Sequence, residues 1–321
     1  MSVAVDDDFQ VRAGRHRHEL LVHCYRLLGS VHEAEDLVQE TMVRAWRAWG
    51  GYDERRASVR TWLYKIATNA CLSALRGRTH RALPSGLGTA PNDDPYAQLV
   101  PSLDVPWLEP FPDNRFADPL SHVERQGSLR LALVAAMQLL PPRQRAVLIL
   151  RDVLEFSAAE VAELLDTSVS AVNSALQRAR VGLAGAAEHE VAEPDDSTAR
   201  DAIDRYIKAF EAADVPALVA LLTGDVVMEM PPVPLWYRGR DDYEQFMHRV
   251  YELRGTDWRM LPITANGQPA AVAYCRHADG VYRTHSLQVF TVTPAGIAHN
   301  VVFADPRVFA VFELPPVLSG P

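Results

Sequence analysis

Eight prolines between Leu83 and about His122, at positions 84, 91, 95, 101, 106, 110, 112 and 119, forbid a helix through the middle of this chain. Each removes a backbone N–H and clashes with the turn before it. The stretch is too long for an ordinary loop and reads as a linker. The 321 residues therefore fall into separately cored parts, two or three small domains rather than one. The middle of the linker, PWLEPFPDNRF, carries aromatic residues that a plain spacer does not need, so part of it is expected to dock on a domain surface.

Ahead of the prolines, residues 9–82 read as helix, with Ser30 and Glu33 in the spacing of a capping box. In EDLVQETMVRAWRAW the residues Leu37, Thr41, Ala45 and Trp49 recur at helical spacing toward a core, leaving Asp36, Gln39, Glu40 and Val43 on other faces. A further helix, RTWLYKIATNACLSALR from Arg60 to Arg76, turns Leu63, Ile66, Ala67, Ala70 and Ala74 inward. It aligns Trp62, Lys65, Asn69, Ser73 and Arg76 on a second face.

Charge gives that second face its meaning. The chain is acidic overall, with a net charge of -9, yet from Arg55 to Arg81 there are seven basic side chains and no acid. The negative charge sits in Asp93–Glu124 and Glu188–Asp214. Such asymmetry points to a polyanion-binding module joined to something else. A stacking aromatic, two cations and small polar groups are what holding an unstacked base and following a single strand require. The same pattern also fits an ordinary amphipathic helix with a core tryptophan and solvated cations.

Leu129–Leu183 is helical again. Pro141 and Pro142 open a helix, and Ser157 with Glu160 forms a second capping box. A short helix to Leu165, a tight DTS turn and a helix from Val169 to about Val181 follow. That order is a helix-turn-helix. Val169, Val172 and Leu176 are expected inward. Ser170, Asn173, Ser174, Gln177, Arg178 and Arg180 face out, with short polar groups suited to base edges and arginines suited to phosphates. A helical hairpin with a solvated face is the alternative.

After EHEVAEPDDS the texture changes. Helices at Ala199–Ala212 and Val215–Leu222 lead to DVVMEM, a helix at Asp241–Leu253, and strands at 258–264, 270–276, 281–292 and 297–303. Asp279-Gly280 and Pro294–Gly296 supply hairpin turns. This is an α+β domain. Met228, Met230, Trp236, Tyr243, Phe246 and His285 are the candidate pocket lining. Glu229, His285, His299 and Asp305 are the groups that acid-base chemistry would draw on. Methionines and aromatics at these spacings equally make plain core, and no catalytic residue is assigned. No metal cluster or cofactor motif is visible, and Cys24, Cys71 and Cys275 lack C-x-x-C spacing. No apolar run reaches a membrane span, and MSVAVDDDFQ lacks signal-peptide shape, so a cytoplasmic location is expected.

EDLVQETMVRAW, RTWLYKIATNACLSALR and LPPRQRAVLILRDVLEFSAAEVAELLDTSVSAVNSALQRAR together resemble the two modules of an alternative bacterial sigma factor of the extracytoplasmic-function (ECF) group. YIKAFEAADVPALVALLTGDVVMEM and FADPRVFAVFELP are similar to the SnoaL-like branch of the NTF2-like superfamily, a cone of curved sheet around a pocket. The resemblance implies a multi-domain fold: two all-α helical sigma modules, the second a helix-turn-helix, then an α+β NTF2-like cone domain. Region 2 would span 9–82, a Pro-rich linker 83–125, region 4 126–186, an acidic linker 187–197 and the SnoaL-like domain 198–315. It implies that Asp36, Gln39, Glu40 and Val43 bind core RNA polymerase. It also implies that Trp62, Lys65, Asn69, Ser73 and Arg76 melt and read the −10 promoter element, and that Ser170, Asn173, Ser174, Gln177, Arg178 and Arg180 read the −35 element. The best-known relatives with this extra domain carry a WLPEP linker and a DGGGK-type motif. PWLEPFPD and HADGVYR stand here instead, which indicates a sister group. The partners implied are core polymerase and promoter DNA, with no membrane and no cofactor; a small-molecule ligand in the C-terminal pocket is left open. The rival readings are a helix-turn-helix regulator that never joins polymerase and a DNA-tethered enzyme.

Overall fold

The computed structural model describes residues 3–115, 129–187 and 196–318. The end of the Pro-rich linker, 116–125 with Pro119, the first residues of the region 4 span, 126–128, and most of the acidic linker, 188–195, lie outside the described residues. The chain forms two compact units, one from residues 1–81 and 114–189, the other from 82–113 and 190–321.

The first unit is helical: α1 (Val3–Gly14), α2 (Arg17–Leu28), α3 (Val31–Ala48), α4 (Val59–Ala74), α5 (Leu131–Gln138), α6 (Pro142–Leu148), α7 (Ala158–Leu164) and α8 (Val169–Ala187). Ser30 caps α3 by accepting the Glu33 N–H at 3.2 Å, and Ser58 caps α4 by accepting that of Thr61 at 3.1 Å. On α3 the buried stripe is Val31, Ala34, Val38, Thr41, Met42 and Ala45, with Leu37 only half-buried. A strict four-residue series drifts by about 40° per step on an α-helix. The core-facing set accordingly includes Val38 and Met42, which that series misses. On α4 the buried face is shifted from the one expected, with Ile66 and Ala74 only half-buried. Tyr64, Thr68 and Cys71 join Leu63, Ala67 and Ala70, because α2 presents buried His23 to Thr68 at 2.8 Å and to the Tyr64 ring edge-on.

Pro142 occupies the first turn of α6. The capping box of α7 is reciprocal, with Ser157 N–H donating to Glu160 at 2.7 Å and Glu160 N–H to Ser157 at 3.2 Å. Asp166 turns the chain into α8 at φ 48°, a left-handed conformation that aspartate tolerates. Val172, Leu176 and Ala179 are buried. Val169, expected inward, is 44% exposed; it starts α8, ahead of the turn that faces the core.

The second unit contains α9 (Asp196–Glu211), α10 (Val215–Ala220), α11 (Arg240–Arg254) and α12 (Pro306–Val311). Its strands are β1 (Leu222–Glu229), β2 (Trp236–Arg238), β3 (Trp258–Ala265), β4 (Gln268–Arg276), β5 (Tyr282–Thr293), β6 (Gly296–Phe303) and β7 (Val317–Leu318). The strand order is β2-β1-β6-β5-β4-β3, with β7 on β5. The β3–β6 meander is antiparallel, whereas β1 lies parallel to β6, Val227 opposite His299. A hairpin reading cannot see that pairing, because it joins strands far apart in sequence. Ile203, Tyr206, Ile207 and Phe210 of α9 and Tyr243, Phe246 and Met247 of α11 pack with Met228, Met260 and Phe290 of the sheet into one core. Burial of each such side chain contributes about 1.5–3 kcal/mol.

The proline-rich segment 82–113 belongs to this second unit. Leu83, Leu108 and Phe111 are at most 5% exposed. Ala82 pairs with the chain around Trp107, its N–H donating to Pro106 O at 3.2 Å and its carbonyl accepting from Leu108 N–H at 3.0 Å.

Candidate functional site

On α3, Asp36, Gln39, Glu40 and Val43 are all exposed, and Glu40 pairs with Arg44 one turn on. On α8, Ser170, Asn173, Ser174, Gln177, Arg178 and Arg180 are exposed as one polar face. Arg180 is held by two bonds, at 2.8 and 2.9 Å, to Asp152. The other side chains of that face reach outward from a helix anchored by Val172, Leu176 and Ala179.

The basic face of α4 is different, because much of it is engaged inside the unit. Trp62 lies in an aromatic cluster, 5.1 Å from Tyr52 and 6.0 Å from Trp49 between ring centroids. Lys65 donates to the Glu163 carbonyl at 3.0 Å and to the Asp166 carboxylate at 3.1 Å. The α7 helix and its turn thus occupy the cation of α4. Next to it, Arg60 bonds Glu19 at 2.9 Å and lies over Tyr64 and Phe156. A cavity of about 240 Å³ remains, lined by Tyr52, Thr61, Trp62 and Lys65 on one side and Glu160, Glu163 and Leu164 on the other. Asn69 is half-buried, Ser73 is exposed, and Arg76 is exposed beyond the end of α4.

A second clasp joins α2 to α5 and α6. Arg145 of α6 is 2% exposed. It donates to Leu27 O, to Gln138 Oε1 and O at 2.6 Å, and to Leu140 O at 3.2 Å. Gln138 Nε2 donates to Arg26 O at 3.3 Å. The last carbonyls of α2, which no intrahelical N–H reaches, are therefore served by side chains from α5 and α6. Neither residue is singled out by the sequence, where Arg145 reads as one more cation in PPRQRAV.

In the second unit, Met228, Met230, Tyr243, Phe246 and His285 share the wall of one cavity of about 320 Å³. Trp236 is not among its lining residues; its indole N–H donates to Thr89 O at 3.1 Å. One end of the cavity is a buried polar cluster. Tyr206 donates to Gln288 Oε1 at 3.0 Å, the two phenols of Tyr206 and Tyr243 are 2.8 Å apart, and Asn300 Nδ2 donates to Tyr243 Oη at 2.8 Å and Gln288 Oε1 at 3.1 Å. Burial holds both phenols neutral by raising their pKa. His285 packs edge-on to Trp258, and burial, aided by Arg254 and His277, lowers its pKa to about 4.

Of the four acid-base candidates, His285 lines this cavity and the other three do not. Glu229 and His299 lie 2.7 Å apart outside its lining, and the second Glu229 oxygen accepts the Ser85 N–H at 2.7 Å. Asp305 caps α12 by accepting the Arg307 N–H at 2.9 Å.

PWLEPFPD docks on the β3–β4 turn. Asn266 N–H donates to Phe111 O at 2.8 Å, Phe111 N–H to Asn266 Oδ1 at 2.7 Å, and Gly267 N–H to Asp113 Oδ1 at 2.9 Å. Asn266 and Gly267 have φ values of 57° and 67°. The Asn-Gly dipeptide is a strong hairpin signal, and it locates this receptor site in the sequence. HADGVYR lies instead at the β4–β5 turn.

Three family models match in chain order: Sigma-70 region 2 over residues 13–81, Sigma-70 region 4 over 130–183, and a SnoaL-like domain over 203–310. The chain is 47% identical over 314 residues to the ECF RNA polymerase sigma factor SigG of Mycobacterium tuberculosis, a match covering 96% of this chain and 84% of that one. The chain belongs to the ECF RNA polymerase sigma factors. Similarity extends to SigJ of the same organism, 31% identical over 72% of this chain and 69% of that one. The crystal structure of SigJ superposes with a TM-score of 0.64 over 93% of this chain and 97% of that one, at 25% identity. This sigma factor is a transcription regulator by class, built of helical region 2 and region 4 modules and an α+β NTF2-like domain. Among the described residues, no helix is long and apolar enough to cross a membrane.

Proposed function

We propose that this sigma factor binds core RNA polymerase through Asp36, Gln39, Glu40 and Val43. The α4 face of Trp62, Lys65, Asn69, Ser73 and Arg76 then reads a melted −10 strand, and the outer face of α8 reads the −35 element. The SnoaL-like domain controls this in cis and performs no catalysis. One observation carries the regulatory part: the segment that links the two promoter readers is folded onto the C-terminal domain from Ala82 to Asp113, through Glu229, Asn266 and Gly267. A chain so held cannot set the separation of the two readers freely. Glu229 and His299 pair with each other outside the cavity lining and Asp305 caps α12, which supports a structural use of those groups over acid-base chemistry.

Run-off transcription with purified bacterial core polymerase and a promoter pool tests the reading. The full chain is expected to create specific start sites, and Asn173→Ala or Trp62→Ala to abolish them while core binding persists. Phe111→Ala, which unseats the linker, is expected to change output at the same promoters. Absence of both transcription and core binding would leave a helix-turn-helix regulator outside the polymerase.

A further inference from the structure

The cavity of the second unit is at the small end of ligand sites, which run to roughly 300–1,000 Å³. Phe210, Met228, Met230, Phe246 and Trp258 make its wall apolar. Its polar end has a definite hydrogen-bond balance. The one proton of Tyr206 goes to Gln288 Oε1, so Tyr243 donates to Tyr206, and both amide protons of Asn300 are spent on Tyr243 and Gln288. What is left over in this cluster is an acceptor: Asn300 Oδ1 is buried and has no partner, and on the wall beside Trp258 the Nδ1 of His285 has none either. An unmet buried acceptor costs about 1–3 kcal/mol, and a ligand donor would recover it. No acidic side chain occurs among the described lining residues, so a cation would find no counter-ion. Of the two lining arginines, Arg249 spends its Nη1 on Pro95 O and Ala97 O, both at 2.7 Å, and Arg254 is exposed to solvent. The lining also includes Leu99 and Pro101 of the linker. That stretch is pinned on one side by Arg249 and on the other by Ser102 N–H donating to Pro232 O at 2.9 Å.

We propose that this cavity binds one uncharged amphipathic small molecule, a naphthalene-sized apolar body ending in a hydroxyl or N–H donor, and that Leu99 and Pro101 close over it as a lid. The effect on transcription rests on the regulatory reading above, because the lid is part of the segment joining the promoter readers. The binding itself does not.

The test uses the full chain and N-phenyl-1-naphthylamine, a neutral probe with one N–H whose fluorescence rises in apolar surroundings. Saturable binding at one equivalent is expected, weakened by Met230→Trp, which fills the cavity. Displacement by 1-naphthol is expected at a concentration roughly fivefold or more below that for 1-methylnaphthalene, one hydrogen bond's worth of preference. Asn300→Leu should abolish that preference. Hydrogen exchange across residues 95–103 should slow when the probe saturates. Non-saturable binding, or equal displacement by the two naphthalenes in the unsubstituted protein, overturns the ligand class. Unchanged exchange at 95–103 overturns the lid. No readout involves polymerase, so a negative result leaves the sigma-factor reading intact.

Discussion

The Glu229 carboxylate lies 2.7 Å from His299 Nε2 on β6 and, through its other oxygen, accepts the backbone N–H of Ser85 at 2.7 Å. A buried acid of the sheet thus holds the start of the linker. Burial pushes its pKa up, but the bonds from His299 and Ser85 outweigh that and leave it below the usual carboxylate range. With the folded value below the unfolded one, the stabilisation is fully present above the unfolded pKa and is lost as pH falls through the folded one. Glu229→Ala is expected to cost about 3 kcal/mol, since it strands a histidine and a backbone donor. Hydrogen exchange at residues 83–87 should accelerate in that variant. Unchanged exchange there would show that the clasp does not hold the linker.

Lys65 bonds Asp166 and Glu163 O where the −10 strand is proposed to lie, so the α7 turn competes with DNA for the same cation. The pair is partly exposed, with side-chain exposures of 37% and 77%, and such pairs contribute only about 0.2–1 kcal/mol. Asp166→Asn keeps the left-handed turn, which asparagine also tolerates. It is expected to leave the melting temperature unchanged and to tighten binding of a fluorescent single-stranded −10 oligonucleotide by roughly twofold to fivefold. Lys65→Ala should weaken binding and flatten its salt dependence. Equal affinity of the Asp166→Asn variant and the parent would remove the competition.

How much of this was legible in the sequence depends on whether the information was local. The α7 capping box, the Pro142 start and the outward face of α8 are set within a few residues, and they read directly. The parallel β1–β6 pairing, the Arg145 clasp and the Ser85–Glu229 bond join residues far apart in the chain, where periodicity is silent. Lys65 illustrates the boundary: its face on α4 could be drawn on a helical wheel, but its engagement by Asp166 could not. Asn266-Gly267 is a different case, a local hairpin signal in the sequence whose second use, holding Phe111 and Asp113, depends on residues far away in the chain.

Burial lowers the pKa of Arg145 to about 10, so its guanidinium stays charged at neutral pH while serving four oxygen atoms. Arg145→Met keeps much of the volume and removes every donor, leaving Leu27 O, Gln138 Oε1, Gln138 O and Leu140 O without those bonds. The expected cost is about 3 kcal/mol or more, since each unmet buried acceptor costs about 1–3 kcal/mol. Hydrogen exchange should rise first at the C-terminal end of α2 and across α5 and α6. Exchange that rises evenly across the unit, α8 included, would count against a local clasp.

His23 gives the first unit an acid sensitivity. It is fully buried, bonded to Thr68 at 2.8 Å and edge-on to Tyr64. Burial, with Arg26 and Arg60 nearby, lowers its pKa to about 3. The unfolded chain takes up a proton near pH 6.5 while the folded one does not, so stability is complete above about 6.5 and falls as pH drops toward 3. At 1.36 kcal/mol per pH unit, the loss from this residue by pH 4.5 is about 2–3 kcal/mol. Exchange-derived opening free energies for α2 and α4, corrected for the intrinsic pH dependence of exchange, should show that slope in the parent protein. His23→Gln, uncharged at every pH, is expected to be less stable at pH 7 yet to lose about 2 kcal/mol less than the parent between pH 6.5 and 4.5. Equal slopes in the two proteins would assign the acid sensitivity to other groups.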